Sequence, residues 1–87
     1  MTIDRVSRML NEVEAQLGDE FVCRHYFTLK TEEDAELGAR RVTEVLLRDA
    51  GNGFLVATFP IDEATTAQEL AEAIRSYLAK GRQLRRD

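Results

Sequence analysis

Cys23 and His25 are the only thiol and the only imidazole in the chain, and they stand two residues apart. A thiolate beside an imidazole is the beginning of a nucleophilic catalyst, because the ring can take the thiol proton. On a strand the two side chains would share a face, yet they would stand about 6 to 7 Å apart, beyond hydrogen-bond reach. Cysteine is also among the residue types most often buried. With no third partner in any evident motif, the pair reads as packing, and no catalytic residue is assigned.

A second group is acidic. Glu32, Glu33, Asp34 and Glu36 could offer carboxylate oxygens to a hard cation, but their spacing fits no calcium loop. They read as a solvated surface, and no metal site is assigned. A lone cysteine excludes an internal disulfide and a cysteine-rich zinc site, each of which needs several. Gly51-Asn52-Gly53 could expose backbone N–H groups to a phosphate. It lacks the following lysine and helix that make such a loop specific. A hairpin turn is the simpler reading, and no cofactor is expected.

The elements that must position these residues follow from periodicity. Ile3, Val6, Leu10, Val13 and Leu17 recur at spacings of three and four, which predicts a helix over 3–17, capped by Thr2 and stopped at Gly18. From Phe21 the period changes to two. Phe21, Cys23, His25, Phe27 and Leu29 fall on one face and Val22, Arg24, Tyr26, Thr28 and Lys30 on the other, which predicts a half-buried strand. The stretch Thr31 to Gly38 shows no alternation and is read as an exposed acidic loop. Residues 40–49 admit two readings. As a helix capped by Thr31 they would place Ala35, Ala39, Val42 and Leu46 on a stripe; as a strand they would lead through the glycine turn into Phe54 to Phe59. Gly38, the β-branched Val42, Thr43 and Val45, and the need for a third strand favour the strand. Both faces of Phe54 to Ile61 are apolar, which makes this segment, ended by Pro60, a candidate for the sheet centre or for a sheet whose second face meets another subunit. Thr66 and Glu69 stand at capping-box spacing and open a last helix with Leu70, Ile74, Tyr77 and Leu78 on its buried face. Lys80-Gly81 should close it.

The expected fold is therefore α+β: one helix, a three-stranded antiparallel meander and a second helix (αβββα), with both helices on one sheet face. One domain covers 1–87, with 82–87 as a frayed tail. This order resembles that of double-stranded RNA-binding domains, which the resemblance implies would touch duplex phosphates through basic residues. The last helix departs from that pattern, since it begins Thr65-Thr66-Ala67-Gln68-Glu69 with no base before Arg75. Only Arg82, Arg85 and Arg86 at the tail suit a phosphate.

The chain has 87 residues, 44% hydrophobic and 32% charged, with a formal net charge of −4, values that exclude a disordered polymer. No run approaches the roughly 18 apolar residues of a membrane span, and Met1 to Arg5 lead into charge rather than a secretory core. A cytoplasmic location and no membrane contact are expected. Residues 31–63 hold eight acids against three bases. Small size, an acidic middle and missing catalytic groups together predict a non-catalytic protein-binding module, and thin burial at this length predicts a homodimer. One version is a phage- or mobile-element-encoded inhibitor whose acidic surface occupies the groove of a basic, nucleic-acid-binding protein. Its contact residues would be Glu32, Glu33, Asp34 and Glu36 with Arg24 and Tyr26. The alternative is a nucleic-acid-binding domain of the RNA-binding topology.

Overall fold

Thr2 is extended (φ −74°, ψ 156°) and its Oγ1 accepts the Arg5 N–H at 3.3 Å, so the chain enters α1 (Ile3–Leu17) through a side-chain cap. The structure is a computed structural model that describes residues 1–34, 36 and 38–84, and of these not the side chains of 34, 39 and 81–84. Val6, Met9, Leu10 and Val13 form the buried stripe of α1, with Leu17 half-buried and Ile3 exposed. Gly18, at φ 93°, donates its N–H to Glu14 O at 3.0 Å and ends the helix.

A strand was expected to begin at Phe21, and the chain instead makes a second, short helix, α2 (Asp19–Arg24). The acids Asp19 and Glu20 occupy its first turn, where carboxylates are favoured, and Arg24 its last. Phe21 alone of its side chains is buried, and it stacks on His25 with centroids 4.7 Å apart. Phe21 and His25 are four residues apart, so the period of two seen in the sequence was also one helical turn.

Three antiparallel strands follow, β1 (His25–Asp34), β2 (Ala39–Asp49) and β3 (Leu55–Pro60), in the order β1-β2-β3. The strand reading of 40–49 holds. β3 is an edge strand rather than the sheet centre, which suits Pro60, since it has no N–H to give. The expected acidic loop is mostly strand: Thr31 pairs with Val42, Glu32 with Arg41, Glu33 with Arg40 and Asp34 with Ala39. Opposite charges placed across from one another make strand out of a segment whose local composition argues against it. Two bulges adjust the register, one at Thr43 and one at Val56. The latter turns Val56 toward the core.

After Pro60, Ile61 donates its N–H to Thr43 O at 3.0 Å and is buried. Thr66 Oγ1 accepts the Glu69 N–H at 3.2 Å and opens α3 (Ala67–Leu84). This helix passes the expected stop at Lys80-Gly81 and runs to Leu84. Of the expected frayed tail, 85–87 lie outside the described residues. Ala67, Leu70, Ala71 and Ile74 are its buried face, whereas Tyr77 is 44% exposed.

The result is the expected α+β arrangement with α2 added, and with α1 and α3 on one sheet face. Val45 and Leu47 of β2 meet Val6, Val13 and Ile74 in the interior. Each such side chain contributes about 1.5 to 3 kcal/mol by leaving water. Among the described residues no helix is long and apolar enough to cross a membrane.

Candidate interaction surface

The residues singled out in the sequence do not converge within one chain. Arg24 ends α2, Tyr26 lies on the sheet face away from the helices, and Glu32 and Glu33 sit near the far end of β1. Glu32 lies six residues along the strand from Tyr26, about 20 Å at strand rise. The acids face arginines: Glu32 Oε2 lies 4.0 Å from Arg41 Nη2, and Glu33 pairs with Arg40 across the ladder. Their local field is therefore smaller than a run of acids suggests. Glu36 lies in the turn beyond, and of Asp34 only the backbone position is described. Glu63 is bound by Arg5 at 2.6 Å and by the Met1 amine at 3.2 Å.

From the sequence, Val22, Tyr26 and part of Phe54, Val56 and Ile61, with Arg24 and Lys30, would make up the open sheet face, and the structure differs. Ile61 is buried and Val56 packs on the core, while Val22 and Arg24 belong to α2. What β1 presents there is Tyr26, Thr28 and Lys30, paired with Arg48, Leu46 and Glu44 of β2. Arg48 fastens this face: its Nε donates to Thr28 Oγ1 at 3.1 Å and its Nη1 to Gly53 O at 3.0 Å. The turn itself is a hydrogen-bonded cap. Asp49 Oδ1 accepts from the Gly51 and Asn52 N–H groups at 2.7 and 3.3 Å, and Asn52 Oδ1 accepts from Phe54 N at 2.9 Å. Asp49 and Asn52 thus act locally, and Gly51-Asn52-Gly53 is a turn.

A different site emerges at one end of the molecule, where α2, the β2–β3 turn and the second half of α3 surround an open groove of about 1060 Å³. Leu17, Phe21, Val56 and Leu78 give it an apolar base, each packed on the core. Arg24 and Arg75 stand on its border. Arg75 is held in place by donating from Nη2 to Gln16 O at 2.6 Å, at the carbonyl end of α1. Phe54 is 72% exposed and Leu55 50% exposed beside it. Tyr77 donates its hydroxyl to Val56 O at 2.8 Å and sets its ring edge-on to Phe59. No spacing in the sequence announces this groove, because its walls come from segments far apart along the chain.

Cys23 and His25 also border the groove. Cys23 is exposed on α2, and the His25 ring lies flat on Phe21 with Nδ1 3.3 Å from Phe21 O. That geometry gives the imidazole a packing role. Among the described residues no three His, Cys, Asp or Glu side chains come together to hold a metal ion. Comparisons with protein-family models, with curated proteins and with solved structures found no match to this chain.

Proposed function

We propose that the chain is a non-catalytic protein-binding module whose end groove receives an apolar segment of a partner protein. The observation that carries this is the exposure of Phe54 and Leu55 beside a groove with an apolar base. Large apolar side chains left in water next to a concave surface of mixed polar and apolar lining are the makings of a recognition site. Glu20 and Asp49 line the groove as well, and Glu20 lies 3.6 Å from Arg24, so the border is of mixed charge and Arg75 is the guanidinium there that would favour a carboxylate flanking the apolar anchor. Charge opposes the duplex-RNA reading, since Asp62 and Glu63 precede the last helix, whose first turn carries Glu69.

The test is affinity capture from lysate of the source cells, with and without nuclease, using the natural chain and two variants. A stoichiometric protein that survives nuclease should be retained by Glu32→Lys/Glu33→Lys and weakened roughly thirtyfold or more by Phe54→Asp, the loss typical of a contact hot spot. Because Phe54 is mostly exposed, the fold should tolerate this change. A partner lost with the lysine variant but kept by Phe54→Asp would move the site to the acidic hairpin. Recovery of nucleic acid alone would overturn protein binding.

A further inference from the structure

We propose that the free edge of β1 pairs antiparallel with β1 of a second copy of this chain, about a two-fold axis through Thr28, joining two three-stranded sheets into one of six strands. The backbone bonding pattern comes first. Ala50 N donates to Arg24 O at 2.9 Å, and these two residues continue the β1–β2 register. In an antiparallel ladder bonded and non-bonded pairs alternate, so Tyr26, Thr28 and Lys30 spend their N–H and C=O groups on β2. Phe27 and Leu29 turn theirs outward, where among the described residues no other strand pairs with them, while the His25 N–H donates to Phe21 O at the end of α2.

The two sheet edges are unlike. On β3 the same alternation, fixed by Ile61 N to Thr43 O, points Thr58 and Pro60 outward. Pro60 has no N–H to offer, Val56 forms a bulge, and the Val56 carbonyl already accepts from Tyr77. Proline and bulges are the means by which edges are kept from pairing. β1 has none of them: it is ten residues long, without proline, and the bulge opposite it lies in β2.

Charge and apolar complementarity select the second copy as the occupant. With Thr28 opposite Thr28 of the other copy, each Phe27 faces a Leu29 and each Tyr26 faces a Lys30. Phe27 and Leu29 are half-buried at the margin of the core, so the added strand would cover their remaining surface. One step further, Arg24 comes beside Glu32 of the other copy, and the two-fold makes this pair twice, in exchange for the long, exposed contacts of Arg24 with Glu20 at 3.6 Å and of Glu32 with Arg41 at 4.0 Å. Arg24, just ahead of β1, and Glu32, near its far end, thereby meet across the axis. An isologous contact of this kind is the commonest way for small proteins to dimerise. The contact shares Arg24 with the border of the end groove but not Phe54 or Arg75, so Phe54→Asp tests the groove and Thr28→Cys tests the dimer, and either proposal can fail without the other.

Two measurements test it. In a Cys23→Ser background, Thr28→Cys should form an intermolecular disulfide under mild oxidation, since directly opposed non-bonded residues have Cα atoms about 4.5 Å apart, within disulfide reach. Lys30→Cys, which faces Tyr26, should not. By sedimentation, Arg24→Glu or Glu32→Arg alone should raise the dimer dissociation constant about tenfold, two altered ion pairs per dimer at cross-strand strength, and the double swap should restore it. A monomer at the highest soluble concentration overturns the proposal. So does a dimer that Lys30→Cys cross-links and Thr28→Cys does not, or one indifferent to both charge reversals.

Discussion

Gly53 shows how much one residue can decide. It holds φ 71° at the close of the β2–β3 turn, and a Cβ there would stand 3.4 Å from the Tyr26 hydroxyl. Gly53→Ala should cost about 1 to 2 kcal/mol, mostly from the left-handed backbone, and lower the midpoint of urea unfolding without changing its slope. The same turn carries Phe54, so a variant that loosens it should also weaken partner capture. His25 teaches the opposite lesson. As the only imidazole, near the only thiol, it invited a chemical reading, yet its ring is occupied with Phe21.

Among the elements, α1 and the start of α3 were legible because their apolar periods and threonine caps lie within a few residues of one another. β2 was legible once the third strand was required. α2 was not, since its alternation served a strand equally well and only the burial of Phe21 distinguishes the two. The acidic segment was misread for a longer-range reason: Glu32 and Glu33 become strand residues because Arg41 and Arg40 stand opposite, and a local window contains no record of that pairing. Arg41→Glu should therefore loosen the outer part of the β1–β2 hairpin by at most about 1 kcal/mol, less as salt rises. Hydrogen exchange should quicken at Glu32 and Arg41 and stay unchanged at Leu47. Of the candidate site, the sequence disclosed Arg24 and Tyr26 as surface residues. The groove was hidden because Leu17, Phe21, Val56 and Leu78 are each ordinary core residues in their own segment.

At the scale of the molecule, one interior serves every element. Ile74 is fully buried and packs within the same cluster as Val6, Val13 and Leu47. Ile74→Ala should cost about 2 to 5 kcal/mol, and far-ultraviolet and tyrosine signals should still lose structure together, as expected of one cooperative unit. Two separate transitions would show that the helices and the sheet unfold independently. A six-stranded dimer would place the two end grooves at opposite ends of a continuous sheet. A partner carrying two copies of its apolar segment would then bind by avidity only if its linker spans that sheet.

Arg5 of α1 reaches Glu63, just ahead of α3, and Arg75 of α3 reaches the carbonyl of Gln16, so the earliest and latest helices clasp each other directly. During synthesis this makes order of emergence matter. A nascent chain that has formed all three strands still presents Val6 and Val13 without the Leu70 and Ile74 that cover them. Until the last helix has emerged from the ribosome that face stays in water, so the nascent chain would be a client for chaperones through the synthesis of the sheet.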